Sequence, residues 1–246
     1  AVCRDYGVVR ADPARPDGPA VFTPGWVLLD PMLRVIEARP LREADAVLDR
    51  LAALPPPAGH GGTDIPPPVL VLPRILDPGL CRALIAHYED QGGTPSGFMR
   101  EVGGKTVGVF DPVLKRRQDC AITDETLRAA TRESILRRVV PELAKAFHYK
   151  ATRMERYIVA CYDSADRGHF GAHRDNTTSG TAHRRFAVTI NLNAEDFEGG
   201  ELRFPEYGAR SWRAPTGGAV VFSCSLLHQA LPVTAGRRYA FLPFLY

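Results

Sequence analysis

Apolar and polar positions alternate differently along successive stretches of this chain, and the changes of period set out its elements. Val21-Phe-Thr and Trp26–Asp30, followed by Leu33-Arg-Val-Ile36, read as short strands, and an amphipathic helix follows over 42–54. Residues 55–68 are rich in Pro and Gly and read as a linker. Val69-Leu-Val-Leu72 is a short apolar strand, and Asp77-Pro78 opens a helix to about residue 90, with Asp as N-cap and Pro at the first turn. A turn is expected over 91–97, then a hairpin over 98–119 with its tip at Gly103-Gly104 and a basic exit at Lys115-Arg-Arg. Thr123 is expected to cap a helix over 124–147, kinked near Pro141. Its stripe of Leu127, Ile135, Leu136, Val139, Leu143 and Phe147 is expected to pack on the outside of a sheet. From Met154 onward the period is that of strands: 154–162, a turn over 163–168, an extended stretch at 170–175, a buried-type strand at 218–225, a turn at 233–236 and a last strand from Arg238 to Tyr246. The pattern is mainly β with flanking helices.

Chemistry concentrates in that last third. On a strand, residues two apart point the same way, so His173 and Asp175 share one face and Arg174 points to the other. His228 follows the 218–225 strand and stands apart from the other histidines. Two histidines and a carboxylate can hold one face of a ferrous ion and leave the opposite face open. Of the neighbours Arg237 and Arg238, only one can face inward. If it is Arg238, it shares a face with Ala240, Leu242 and Phe244, an apolar stripe whose single charge needs an anion; Arg237 is the other candidate. A zinc pair from His169 and His173 on a helix is disfavoured by Gly168 and Gly171, and no Glu follows His169.

Composition narrows the picture without deciding it. A net charge of +3 gives no argument for nucleic acid, and no apolar run is long enough to suggest a membrane span. The short basic pairs Arg116-Arg117 and Arg184-Arg185 could face an acidic substrate. Five scattered cysteines without a CxxC motif fit free thiols in a reducing cytoplasm.

His173-x-Asp175, His228 and the run His228-Gln-Ala-Leu-Pro-Val-Thr-Ala-Gly-Arg-Arg238-Tyr resemble the Fe(II)/2-oxoglutarate-dependent dioxygenases, in their prolyl-hydroxylase-like branch. Phe197-Glu-Gly-Gly-Glu-Leu-Arg-Phe204 resembles the hairpin between the metal ligands of that branch. Val159-Ala-Cys-Tyr162 and His173-Arg-Asp-Asn176 resemble its oxygen-sensing members. The resemblance covers residues 69–246 and implies a double-stranded β-helix, the jelly roll. It implies iron on His173, Asp175 and His228, and 2-oxoglutarate held by Arg238 with help from Tyr162, beside Thr189, Asn191 and Leu202. The implied reaction hydroxylates an unactivated C–H of a small molecule or peptidyl side chain, prolyl among them, and releases succinate and CO2. Fe(II), 2-oxoglutarate and O2 are the implied cofactors, with ascorbate in support. The substrate lid is expected in 98–119.

Residues 1–54 more weakly resemble the C-terminal half of a thioredoxin or peroxiredoxin domain, through Val2–Val8 and Leu29–Val35. The cysteine-bearing half of such a domain is absent, so the expectation is a small α/β fragment of a redoxin–oxygenase fusion, with Cys3 a minor redox candidate. Two other readings fit the same residues: a jelly roll that binds metal without turnover, and a redox adaptor in which the N-terminal piece matters most.

Overall fold

The computed structural model describes residues 6–11, 18–30, 34–54 and 65–246. Cys3, most of the 55–68 stretch and part of the redoxin-like motif lie outside them. The chain divides into two compact units, Ala1–Ile65 with Glu206–Ala209, and Pro66–Pro205 with Arg210–Tyr246. In the first unit Val9–Arg10 pairs with Val21–Phe22, and Gly25–Leu29 forms an antiparallel hairpin with Val35–Pro40. A helix, Ala44–Ala52, follows.

The described part of the second unit is built on two large antiparallel sheets, with a separate two-stranded hairpin beside them. The larger contains Gln118–Ala121, Ile158–Asp163, Phe186–Asn191, Ala219–Ser223 and Val233–Phe241 among its strands. The smaller is ordered Ser211–Trp212, Leu202–Arg203, His228–Ala230, His169–His173, Lys115–Arg116. Strand alternation assigns the faces of the larger sheet. Val159, Cys161, Val188, Ile190, Tyr239 and Phe241 join one apolar core with Leu84, Ile135 and Leu143 of the helices. Ala160 and Tyr162 face the other way, into a second cluster with Phe170 and Ala230 of the smaller sheet. Helices therefore cover one face, and the other faces the smaller sheet, as in a jelly roll.

Helix starts follow from side-chain caps. Asp77 Oδ1 accepts from Leu80 N (3.0 Å) to open Pro78–Gln91. Asp124, rather than the expected Thr123, caps Glu125–Arg138 by accepting from Thr126 N (2.8 Å) and Leu127 N (3.0 Å). The long helix breaks at Val139, and Val140–Phe147 restarts with Pro141 in its first turn, where a missing N–H costs nothing. Leu136 is 48% exposed and leaves the expected stripe.

Several boundaries move for reasons of pairing. The expected 98–119 hairpin closes at Phe98–Val102 with Lys105–Val109, around Gly103 and Gly104, both at positive φ. Lys115–Arg116 belongs instead to the smaller sheet and Gln118–Ala121 to the larger, so the chain crosses between sheets at Arg117. The expected 91–97 turn contains a two-residue strand, Thr94–Pro95, paired with Gln118–Ala121. The Phe197–Phe204 segment is no hairpin: Phe197–Gly199 pairs with Val233–Phe241 and Leu202–Arg203 with His228–Ala230. The expected 233–236 turn is the start of the long strand that Phe197–Gly199 pairs with.

Candidate metal and cosubstrate site

His173 and His228 are register partners on adjacent strands of the smaller sheet, which brings their ring centroids within 4.2 Å. Asp175 lies just past the end of its strand, where its N–H donates to Cys224 O (3.0 Å) and fixes the backbone. One ligand atom from each of the three residues lies within 4.8 Å of the others. Gly171 packs closely on Leu114: a Cβ there would sit 2.8 Å from Leu114 Cδ1, and that side chain would have to shift to admit it.

Hydrogen bonding sets the tautomers. His173 Nδ1 lies 2.8 Å from Gly171 O and His228 Nδ1 3.0 Å from Leu226 O. A carbonyl only accepts, so each Nδ1 carries the proton and each Nε2 presents a lone pair. Those lone pairs face one carboxylate, with His173 Nε2 3.5 Å from Asp175 Oδ1 and His228 Nε2 3.4 Å from Asp175 Oδ2. Acceptors alone converging on one point repel one another unless a cation sits between them. The donor set fits a divalent metal such as Fe(II), with both imidazoles oriented by backbone carbonyls. The charge states agree. Burial pushes His228 down to about 4, against the pull of Asp175, and so keeps it a neutral ligand. Burial opposes ionisation of Asp175, yet its carboxyl is held well below the usual range, with the Arg156 guanidinium among the groups that favour the charged form.

An inner cavity of about 50 Å³ adjoins the cluster and is lined by Tyr162, Thr189, Leu202 and Arg238 together with His173, Asp175 and His228. Tyr162 and Arg238 are register partners in the larger sheet, and the Arg238 guanidinium carbon lies 5.0 Å from the tyrosine ring centroid. Arg238 is 2% exposed, and its Nε donates to Asn191 Oδ1 (3.0 Å). No carboxylate among the described residues is within ion-pair distance of it, and burial pulls its guanidinium below the ordinary value. Arg237 points the other way and pairs with Asp163 (2.7 Å) at the surface. Asn191 does not line the cavity. It is buried behind Arg238, held through its Nδ2 donating to Ala214 O (2.8 Å).

Two residues of the site, Asp119 and Arg156, were not singled out from sequence, and a third, Arg117, stands there only as half of a basic pair that could face an acidic substrate. Arg117 Nε and Nη2 donate to Asp119 Oδ1 (2.7 Å) and Oδ2 (2.8 Å), and its Nη1 donates to Tyr162 Oη (3.2 Å). Arg156 Nη2 donates to Asp119 Oδ2 (3.1 Å), and both arginines line the inner cavity. The Lys115-Arg-Arg run was the available signal, but the alternation splits it. Lys115 and Arg117 are buried, while Arg116 lies at the surface, bonded to Pro112 O (3.0 Å) and Asp166 O (3.0 Å). The second basic pair divides as well: Arg184 is held by Glu155 (2.5 Å), and Arg185 is exposed.

Outside the metal cluster opens a wider cleft of about 790 Å³, with Phe98, Lys115, Arg156, Phe170 and His173 among its walls. The Phe98–Val109 hairpin roofs one side. It is clasped to the 177–181 turn, where Ser179 N donates to Glu101 Oε2 (3.1 Å) and Gly180 N to Thr106 Oγ1 (2.8 Å). His169, the rejected zinc candidate, lies instead between Arg167 O (2.9 Å) and Val113 O (3.0 Å).

Residues 157–246, which contain every one of these candidate metal and cosubstrate residues, match the 2OG-Fe(II) oxygenase superfamily. This part of the chain is therefore similar to the domain of a superfamily whose cofactors are Fe(II), 2-oxoglutarate and O2. The chain is similar to PKHD-type hydroxylases. It is 24% identical to one from Hyphomonas neptunium over 151 residues, 59% of this chain and 66% of that one. With one from Idiomarina loihiensis it shares 28% over 176 residues, 71% of this chain and 75% of that one. It spans between 39% and 66% of the first curated relatives it matches. Among solved structures, the fold resembles a viral collagen prolyl hydroxylase from Paramecium Bursaria Chlorella virus-1, with a TM-score of 0.54 at 16% identity. That match covers 72% of this chain and 94% of the other. No described helix is long and apolar enough to cross a membrane.

Proposed function

We propose that the chain is an Fe(II)- and 2-oxoglutarate-dependent dioxygenase. It hydroxylates an unactivated C–H of a peptidyl or small-molecule substrate, a prolyl or other amino-acid side chain, and releases succinate and CO2. One observation carries this reading. Three converging acceptors, His173, Asp175 and His228, open onto a cavity that also holds a buried arginine without a carboxylate. Bound iron with the 2-oxo acid supplies the oxidising chemistry, coupling decarboxylation of the cosubstrate to hydroxylation of the substrate.

The protein's contribution is placement. His173 and His228 offer neutral Nε2 atoms, Asp175 offers charge, and the carbonyls of Gly171 and Leu226 keep both imidazoles in the ligating tautomer. Arg238, aimed by Asn191, is assigned the distal carboxylate of 2-oxoglutarate, with the Tyr162 hydroxyl beside it and Thr189 and Leu202 along its length. Phe170, stacked on His173 at 3.5 Å between centroids, keeps water from that side of the ligand. The oxygenase part is assigned to residues 69–246, behind a 55–68 linker and a redoxin-like piece at 1–54. Four described cysteines are buried free thiols, which supports a cytoplasmic setting.

The test is an anaerobic titration with Fe(II) and 2-oxoglutarate, followed by the visible charge-transfer band of a chelated 2-oxo acid. The band is expected in the native chain and absent in His228→Ala. A folded native chain that never gives the band would overturn the proposal.

A further inference from the structure

The charges between the inner cavity and the outer cleft do not balance. Lys115, Arg117 and Arg156 converge on a single carboxylate, Asp119. Asp119 is fully used: it takes two bonds from Arg117, one from Arg156 and one from Ser96 Oγ (2.6 Å). Other acids of the cleft are committed elsewhere, Glu101 to the 177–181 turn and Asp175 to the metal cluster. Lys115 is left with neutral partners. Its Nζ donates to Ser96 Oγ (2.8 Å) and Gly97 O (2.5 Å) and lies 4.7 Å from the Phe170 ring centroid. No carboxylate among the described residues comes within ion-pair distance of Lys115, which is only 6% exposed.

A buried ammonium without a counter-charge is costly. Burial, with Arg117 adding to it, pushes Lys115 down to about 6, and an incoming carboxylate would restore its proton. The position has a clear relation to the chemistry. Phe170 carries Lys115 against one side and His173 stacked on it (3.5 Å), so the lysine stands one aromatic ring away from a candidate metal ligand. Arg156 lines both the inner cavity and the cleft, beside it. Arg238, at the inner cavity, is the cation for the cosubstrate; Lys115 and Arg156 face the space left for the substrate.

We propose, building on the oxygenase reading above, that Lys115 and Arg156 form an anion subsite for the substrate. The preferred substrate carries a carboxylate within a side chain's length of the C–H that is hydroxylated. That carboxylate has two chemical sources, the terminal carboxylate of a small amino acid or an acidic side chain in a peptide.

Probes that differ only in charge test the subsite: acetyl-proline against acetyl-prolinamide, and acetyl-Glu-Pro-amide against acetyl-Gln-Pro-amide. Binding to the full chain is measured calorimetrically under nitrogen, with Fe(II) and 2-oxoglutarate present and again without added metal. The expected result is that at least one acid binds about tenfold or more tightly than its amide, as a charge-assisted contact implies. The preference should vanish in Lys115→Met, and the pair that shows it identifies the source. Lys115→Met should also melt at or above the native temperature in the absence of ligand, because it removes a buried amine that folding forces to give up its proton. Equal binding of acid and amide in both pairs, or a clearly lowered melting temperature, would overturn the subsite while a normal 2-oxoglutarate band left the oxygenase intact. If the band fails but the metal-free chain keeps a Lys115-dependent acid preference, the subsite stands and the oxygenase reading falls.

Discussion

The inner cavity and the outer cleft share His173, Asp175 and Arg156, yet they are built on opposite plans. The inner cavity encloses about 50 Å³ and the cleft about 790 Å³. Inside, the cosubstrate residues stand on strands of the two sheets, where a register partner fixes the backbone of each: Tyr162 opposite Arg238, Thr189 opposite Val220, and Leu202 opposite Ala230. The cleft is walled by a two-stranded hairpin, a turn and the crossing between sheets at 115–117. A rigid small cavity suits one invariant small molecule. A wide cleft on separable elements suits a substrate whose identity depends on a few charges.

Asp119 separates the two regions and gives the largest expected effect. Burial alone would raise its pKa, but Arg117, Arg156 and Ser96 more than offset this and hold the carboxyl below its ordinary value of 3.8. Asp119→Asn would leave two largely buried arginines, Arg117 and Arg156, without their counter-charge and should cost about 3–5 kcal/mol of stability. A lower urea midpoint at unchanged slope would register it. Lys115→Met in the same background should recover part of the loss. A near-neutral Asp119→Asn would mean that the two regions are not joined by charge.

The next effect tests the inner cavity alone, with adjacent arginines. Arg238→Met should raise the 2-oxoglutarate concentration needed for the charge-transfer band by about 10–100-fold, the worth of a lost charge-assisted contact. Arg237→Met removes a surface ion pair with Asp163 and should shift it by less than about threefold. Equal shifts would abolish the distinction between inward and outward residues.

These adjacent arginines also show what was legible in the sequence. Strand alternation put His173 and Asp175 on one face and left Arg237 and Arg238 as alternatives; the resemblance singled out His228 and Arg238, and the structure brings all four to one cavity. Arg156 could not be found that way. Its backbone is left-handed, at φ 65, between the Met154–Glu155 and Ile158–Asp163 strands, so no alternation assigns its side chain. The surplus at Lys115 was equally hidden, since it depends on which sheet each residue of Lys115-Arg-Arg enters. Phe197–Phe204 misled for a related reason. Gly199 and Gly200, both at positive φ, resemble a hairpin turn in sequence but carry the chain from one sheet to the other.

A smaller effect belongs to the boundary between cavity and cleft. With Lys115 lowered from 10.5 to about 6, the folded chain has lost its proton in a range where the unfolded chain still holds it. The unfolded state then binds more protons, so stability rises with pH across that window and is flat from this source below it. The slope contributed by this residue is at most about 1.4 kcal/mol per pH unit. Urea unfolding between pH 7 and 8.5 should show it in the native chain and lose it in Lys115→Met. A bound carboxylate that restores the proton should flatten it as well. A slope that persists unchanged in the variant would have to come from another group.

The smallest effect is confined to the cleft. Glu101 is exposed and holds the Phe98–Val109 hairpin to the 177–181 turn by accepting from Ser179 N and from the hydroxyls of Ser179 and Thr106 (3.3 Å). Glu101→Ala removes those acceptors but leaves the Gly180 N to Thr106 Oγ1 bond, so the clasp weakens without vanishing. Global stability should change by less than about 1 kcal/mol, because the contacts are solvent-exposed. Local opening should respond more strongly, since elements with few buried contacts open separately from the core. Limited proteolysis at the Gly103-Gly104 tip should speed up several-fold in Glu101→Ala, and saturating 2-oxoglutarate should not reverse it because that ligand occupies the inner cavity. An acidic probe seated in the cleft should restore protection. If 2-oxoglutarate alone protected the tip, the inner cavity and the cleft would have to be treated as one coupled site.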